Sequence, residues 1–413
     1  MISVQEARDI VLAQVKVLGT ERKELLASLG RVIAEDVFAP HDVPPHNNSA
    51  MDGYAVRSED THHASREHPV TLNVIEDLPA GYVSQRYLQT GQAIRIMTGA
   101  PIPDGADAVV RVEDTLRGEG EQVLILREVP PLYDLRLAGE DIRQGDLILR
   151  QGDLLRPAEI GLLSSLGRST IQVYQRPQVA ILSTGDELLY IDEPLQPGKI
   201  YNSNSYSLAA LVLDAGAIPI QLGIARDTRE DLEQKFLAGA RADVIISSGG
   251  VSVGDYDLVK EMLKKSGSEM QFWKVCMKPG KPQAFGAIAG KPTFGLPGNP
   301  VSSMVSFEVF VRPALLKMMG HTQIYRRVVT ATLAEDFRKS DRRKHFVRVA
   351  LRQENTRYIA STTGDQGSGI LRSMAKAKGL MVVDEERMQI QAGESVAVML
   401  LDHSFSMSST RDF

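Results

Sequence analysis

Between residues 177 and 302 the chain repeats one arrangement five times: a short apolar run followed by a loop rich in glycine, acid or lysine. The runs are 179–182, 218–224, 244–246, 272–275 and 292–295. The loops that follow are Ser183-Thr184-Gly185-Asp186-Glu187, Ala225-Arg226-Asp227, the stretch from Ser247 to Asp255, Lys278-Pro279-Gly280-Lys281-Pro282 and Leu296-Pro297-Gly298-Asn299-Pro300. Apolar runs this short, separated by amphipathic stretches, are the pattern of strands buried on both faces of a mostly parallel sheet. Crossover helices are expected near 203–215, 228–240, 256–266 and 301–319. Ligands of open α/β sheets sit beyond the carboxyl ends of the strands. The five loops therefore gather at one edge, where their chemistry points to an anionic, metal-associated ligand.

The rest of the chain reads differently on each side of this region. At 413 residues it is too long for one ordinary domain. Ser3 and Glu6 form a capping-box pattern ahead of an apolar face of Ala7, Ile10, Val11 and Val15, which predicts an N-terminal helix. A second helical stretch is expected at 24–32, before the break at Pro40 to Pro45. From 46 to 144 short strands are expected at 70–75, 93–97, 108–112 and 122–127. Residues 154–166 read as a helix, with Pro157 at an allowed first-turn position. Packing of that helix on the N-terminal one gives a discontinuous helical domain, 1–45 with 145–176. The α/β domain spans 177–322. Beyond it, runs at 327–333, 344–351, 357–361, 380–383 and 395–401 predict a C-terminal β domain, 323–413, built as a small barrel or sandwich.

Composition narrows the function classes. A formal net charge of −5 gives non-specific nucleic-acid binding no electrostatic support. The single Cys276 rules out an intrachain disulfide framework and suits a reducing cytoplasm. It reads as a small strand residue, with no His partner nearby to make it a nucleophile. No secretory signal is expected, and no apolar run approaches the ~18–20 residues that a membrane-spanning helix needs.

At the loop edge, Glu187, Asp227 and Asp257 would share one mouth. Two carboxylates ~5 Å apart repel by roughly 3 kcal/mol at an effective dielectric of ~20, so a cluster needs a cation or shared protons. Oxygen ligands without His or Cys favour a hard ion such as Mg²⁺. Taken singly, each acid also fits a helix N-cap or a solvated loop. The Ser-Ser-Gly-Gly-Val-Ser-Val-Gly loop places backbone N–H groups and hydroxyls ahead of a helix, where an oxyanion is favoured. Lys278 and Lys281 bracket Pro279-Gly280 and fit either an oxoanion partner or a solvated face. Pro297-Gly298-Asn299-Pro300 makes a rigid turn into a helix carrying Ser302 in its first turn.

Further strings lie outside this edge: Asn48-Ser49-Ala50-Met51-Asp52-Gly53-Tyr54-Ala55, Arg95 to Pro101, Gly139-Glu140-Asp141-Ile142 and Thr362 to Ser368. With the loops they cover nearly the whole chain, in the order found in molybdopterin molybdenumtransferases, the MoeA proteins and the E domain of gephyrin. The sequence resembles that family at 49–55, 97–101, 139–142, 183–188, 247–254, 278–282, 295–302 and 362–368. The resemblance implies four parts: a discontinuous helical domain, a β-rich domain, a three-layer α/β molybdopterin-binding domain and a C-terminal β-barrel-like domain. It also implies an elongated homodimer whose active site joins the α/β domain of one subunit to the β-rich domain of the other.

The implied reaction is the last step of molybdenum cofactor assembly. Adenylylated molybdopterin, made by a separate molybdopterin adenylyltransferase, is cleaved with Mg²⁺ and AMP leaves. Molybdenum from molybdate passes to the dithiolene sulfurs, and the product goes on to recipient molybdoenzymes. On the resemblance, Asp52, Thr98, Asp141, Glu187, Asp227 and Asp257 form the catalytic set, with Glu187, Asp227 and Asp257 holding the metal. Molybdate falls to Lys278, Lys281, Ser302, Arg348 and Ser368. Adenylylated molybdopterin falls to Ser248, Gly249, Gly250, Ser252, Gly254, Pro297 and Asn299. The chain departs from the family pattern at Asp365, often His in relatives, and at Pro45-His46-Asn47-Asn48, where an aromatic and an acid are common. The competing reading is a catalytically weak, gephyrin-like dimeric scaffold.

Overall fold

The computed structural model describes residues 1–226, 228–250, 272–354 and 357–401. Its chain contacts divide it into two compact units, one of Met1–Arg22, Gly30–Ala34 and Gln172–Phe413, the other of Lys23–Leu29 and Glu35–Ile171.

In the first unit the apolar runs become a six-stranded sheet in the order Ile218–Ala225, Gln178–Thr184, Val244–Ser248, Lys291–Leu296, Pro282–Ile288, Phe272–Lys274. The first four strands are parallel. Pro282–Ile288 runs antiparallel to both of its neighbours, so Phe272–Lys274 regains the direction of the first four. All five expected runs therefore end at the same edge of the sheet. The antiparallel strand was not expected, because it begins at the proline that closes the lysine loop and carries Gln283 and Gly286.

Helices Ser203–Asp214 and Arg229–Gly239 match the expected crossovers, and each starts from a side-chain cap. Asn202 accepts the Ser205 N–H at 3.2 Å and Thr228 accepts the Asp231 N–H at 3.4 Å. The helix expected at 256–266 lies outside the described residues. Pro300–Ser306 and Arg312–Met318 are α-helical and joined by a π-helical turn, Phe307–Val311. Pro313 has no N–H to give, which accounts for the widened turn ahead of it. That turn buries Glu308 against Arg326, whose guanidinium donates at 2.9 and 3.0 Å.

The N-terminal helix, Val4–Gln14, has the expected capping box: Glu6 N–H to Ser3 Oγ at 3.1 Å and Ser3 N–H to Glu6 Oε2 at 2.7 Å. Its apolar face belongs to this unit's core, where Val4, Ala7, Val11 and Val15 join Leu208, Val212, Val305 and Leu315. The Pro157 helix, expected to pack with it, belongs to the other unit. Two backbone bonds explain the placement: Ile2 N–H to the Lys274 carbonyl and Cys276 N–H to the Ile2 carbonyl tie the N-terminus to the sheet. The helix expected at 24–32 is only a short 3₁₀ turn, Leu26–Ser28. Gly30 turns left-handed at φ +73°, which ends any helix there.

Val328–Leu333, Lys344–Glu354, Arg357–Thr362, Gly379–Val383 and Ser395–Leu400 close into a barrel, because Lys344–Glu354 pairs with both Arg357–Thr362 and Gly379–Val383. Val347 and Val349 point into the barrel core, while Phe346 joins the core of the α/β layer. The lysine loop is stitched to this barrel: Met277–Lys278 pairs in parallel with Lys344 and His345. A short helix, Leu371–Lys376, was not expected.

The second unit carries a six-stranded sheet, ordered Ala108–Arg111, Gly53–Val56, Gln92–Ile96, Val70–Leu78, Gln122–Ile125, Thr115–Arg117. Its strands bury Val56, Leu72, Ala93, Val110 and Val123. Helix Pro157–Ser165 starts at Arg156, and Leu162 and Leu166 pack with Ala39 and Ile142. Gly53 has no room for a side chain: a Cβ there would lie 2.1 Å from the Val110 carbonyl oxygen on the adjacent strand. Gly53→Ala is expected to destabilise this unit by about 1–3 kcal/mol through overpacking. Denaturant unfolding followed by circular dichroism measures this, and an unchanged midpoint contradicts the close approach.

Candidate functional site

The strands of the α/β layer change character at their tips. Gln178–Thr184 runs through buried aliphatic residues and ends in Ser183-Thr184, and Val244–Ser248 ends in Ser247-Ser248. Ser183 is paired with both Ile224 and Ser248, and Ser248 with Leu296, so the four parallel strands end side by side. Above these tips lies a cavity of about 520 Å³. Ser183, Thr184, Glu187, Asn204, Ser248, Gly249, Gly250, Pro297 and Asn299 are in its lining.

Glycines bring the loops together there. Gly249 sits at φ +94°, and a Cβ on it would lie 2.7 Å from the Thr184 carbonyl oxygen. Its N–H donates to the Leu296 carbonyl at 3.0 Å, which ties the glycine loop to the Pro297 turn. Glu187 folds back over Gly185, whose missing Cβ leaves the space its carboxylate fills. Three oxygens at the cavity, Ser183 Oγ, Thr184 Oγ1 and Asn204 Oδ1, are buried and have no hydrogen-bond partner among the described residues. Buried polar atoms are nearly always paired in finished proteins, so such a set marks a place where a ligand or water completes the bonding.

The lysine loop contributes to two cavities. Pro282 lines the first, and Lys278 lines a second, of about 370 Å³, with Lys339, His345 and Gln366. In place of the expected single pocket for acids and lysines, Glu187 lines one cavity and Lys278 the other. Lys278 Nζ lies 3.9 Å from Asp341 Oδ2. Arg343 and His345 hold the Asp341 carboxyl well below the usual carboxylate range. Burial pushes the His345 imidazole down, against the pull of its Asp341 hydrogen bond. Lys339 is fully engaged, donating to the carbonyls of Arg343, Asp384 and Glu385.

Ser302 is buried in the first turn of its helix, and Lys281 is exposed. Ser368 is brought to that helix by its carbonyl, which accepts the Val301 N–H at 3.1 Å. Arg348 is 1% exposed and clamps the Ser368 loop from below, donating to the carbonyls of Asp365 and Gly367. Burial lowers its pKa. Its Nε–H is buried and has no partner among the described residues. The side chain of Asp365 turns back on its own loop and accepts the Gly367 N–H at 2.8 Å.

Of the proposed metal ligands, only Glu187 is described; Asp227 and Asp257 lie outside the described residues, as do Ser252 and Gly254 of the glycine loop. Among the described residues no group of three or more His, Cys, Asp or Glu could hold a metal ion. The Glu187 carboxylate at the cavity is a hard oxygen donor of the kind Mg²⁺ takes. Asp52, Thr98 and Asp141 lie in the second unit and are exposed. The Thr98 backbone N–H and hydroxyl both donate to Asp52 Oδ1 at 2.7 Å, which holds that carboxyl below its usual pKa. Reading the sequence missed Tyr201 to Asn204 as cavity residues, because an Asn-Ser string before a helix reads as a cap, and Asn202 is one.

Three stretches of the chain match family descriptions: residues 2–167 "MoeA N-terminal region (domain I and II)", 180–317 "Probable molybdopterin binding domain" and 330–401 "MoeA C-terminal region (domain IV)". The chain is 41% identical over 407 residues to molybdopterin molybdenumtransferase 2 of Mycobacterium tuberculosis, covering 96% of this chain and 99% of that one. The chain belongs to the molybdopterin molybdenumtransferase (MoeA) family. A molybdopterin molybdenumtransferase of Nostoc sp. is 40% identical, with 97% and 94% covered. A crystal structure of a molybdopterin biosynthesis MoeA protein from Pyrococcus horikoshii superposes with a TM-score of 0.85 at 33% identity, covering 97% of this chain and 99% of that one. The family's α/β domain is therefore the layer whose edge holds the cavity. No helix among the described residues is long and apolar enough to cross a membrane.

Thr98→Val keeps the backbone donor to Asp52 and removes the hydroxyl. The Asp52 pKa should rise toward its ordinary value in an NMR carboxylate titration. In the native protein the stabilisation from ionised Asp52 is present above the ordinary carboxylate pKa and lost as pH falls through the lowered one. The stability difference between native and Thr98→Val protein should accordingly shrink in acid, and an unmoved titration contradicts the Thr98 contribution.

Proposed function

We propose that this chain is a molybdopterin molybdenumtransferase that cleaves adenylylated molybdopterin, releases AMP and inserts molybdenum from molybdate. The observation that carries the reading is the cavity of buried, unpartnered oxygens at the strand tips, inside the stretch that matches a molybdopterin-binding domain. Full-length relatives that bear the enzyme's name support it.

Ser248, Gly249, Gly250, Pro297 and Asn299 are assigned to the adenylylated substrate, with Ser252 and Gly254 from the same loop. The glycines expose backbone N–H groups, which suit the phosphates of the anhydride. Glu187, with Asp227 and Asp257, would hold a divalent cation, proposed as Mg²⁺. Such an ion supplies charge neutralisation at a breaking phosphoanhydride. Molybdate is assigned to Lys278, Lys281, Ser302, Arg348 and Ser368. The unspent Arg348 Nε–H and the Lys278 ammonium suit charge-assisted bonds to its oxygens. Asp52, Thr98 and Asp141 are assigned to the same reaction on the family resemblance, as are a homodimer, cytoplasmic location, a separate adenylyltransferase upstream and molybdoenzymes downstream.

Pure protein given adenylylated molybdopterin, molybdate and Mg²⁺ should release AMP stoichiometrically with molybdenum cofactor. A well-folded protein that releases none is the result expected of a gephyrin-like scaffold and overturns the enzyme reading. Lys278→Ala should raise the molybdate concentration for half-maximal turnover by about tenfold or more, the value of one hydrogen bond to a charged group. An unchanged molybdate dependence removes Lys278 from the oxoanion site.

A further inference from the structure

Asn204 lies at the start of helix Ser203–Asp214, 9% exposed, and lines the substrate cavity. Its Nδ2 donates at 2.7 Å to the Gly298 carbonyl and at 2.7 Å to Ser248 Oγ. The Gly298 carbonyl can only accept, so it fixes which way the amide faces: a flip would set two acceptor oxygens against each other. Oδ1 is then the atom left over, and it has no partner among the described residues. The two loops that hold this amide, 248–250 and 297–300, are among those that line the cavity.

An amide oxygen accepts and cannot donate. A phosphate or molybdate oxygen would be repelled from it, unlike from the Ser183 and Thr184 hydroxyls beside it, which can do either. A ligand group that satisfies Oδ1 must bring its own hydrogen. Given the transferase reading, on which this inference rests, the donors of the substrate are the ribose hydroxyls and the N–H groups of its heterocycles, of which the pterin amino group and the exocyclic amine of adenine project beyond their rings.

We propose that Asn204 is a specificity-determining residue whose Oδ1 accepts a hydrogen bond from an exocyclic amino group of the bound substrate, on the pterin or on adenine. Ser248 and Gly298 orient it, so recognition of the ring and closure of the phosphate-facing loops share one side chain. Sites built to bond a ligand N–H discriminate strongly against analogues that lack it, because the site's buried acceptor is left unpaired.

The test is calorimetric binding of two matched pairs to the full chain and to Asn204→Ala. Pterin is compared with lumazine, in which an oxo group replaces the amino group. AMP is compared with IMP, which differs in the same sense at adenine. The native protein should prefer the amino-bearing member of one pair by about tenfold or more, a single buried hydrogen bond's worth, and Asn204→Ala should bring that ratio near one. The pair that responds names the ring. Equal affinities within both pairs in the native protein overturn the proposal, and that comparison needs no variant to fold. A preference that survives in folded Asn204→Ala also overturns it, as does failure of all four ligands to bind. A native protein that keeps the preference but releases no AMP from adenylylated molybdopterin refutes the transferase reading and leaves the role of Asn204 standing.

Discussion

The parallel register of four strands is the constraint on which the rest of the molecule depends. Because Ile224, Ser183, Ser248 and Leu296 lie in one row, the loops that follow them must start together. The strands spend their aliphatic residues inside the sheet and reach the edge as Ser-Thr and Ser-Ser, so hydroxyls and backbone groups meet there. Only a glycine can then pass the Thr184 carbonyl, and Gly249 does so while bonding to Leu296. A polar cavity follows from strand order and one missing side chain.

Much of the fold could be read from residue pattern. The apolar runs gave the strand positions to within a few residues, and the capping box of Ser3 and Glu6 forms as its spacing requires. What escaped depended on distant partners. The Pro282–Ile288 strand is made by pairing with two neighbours, and its own composition is neutral. The N-terminal helix has a face that many cores would accept, and Ile2 selects one by bonding to Lys274 and Cys276. The 24–32 segment has helical composition, but buried Arg31 is held by Glu21 and the Tyr174 carbonyl while Gly30 turns left-handed. Tertiary bonds override local preference there.

The site was legible where its chemistry needs unusual residues. Glycine loops, a lysine pair around Pro279-Gly280 and Glu187 stand out in the sequence, and the structure sets Glu187 and the glycine loops at one cavity and Lys278 at a second. Residues whose local role hides a second one were not legible. Asn204 looks like part of a helix start, and its free oxygen is visible only once Gly298 is seen to hold the other end of the amide. Nothing in the sequence shows that Arg348 is buried and spends two of its nitrogens on loop carbonyls, leaving Nε–H as its unpartnered donor among the described residues.

The strand-tip cavity is proposed to receive the phosphoanhydride of the adenylylated substrate, with the glycine-loop N–H groups against its phosphates. A crystal structure of the protein soaked with AMP and Mg²⁺ tests it most directly. The account predicts the nucleotide bounded by the loops of Gly185, Gly249 and Gly298, with its phosphate against the glycine-loop N–H groups. Density for AMP at another surface, with that cavity holding only solvent, would contradict it.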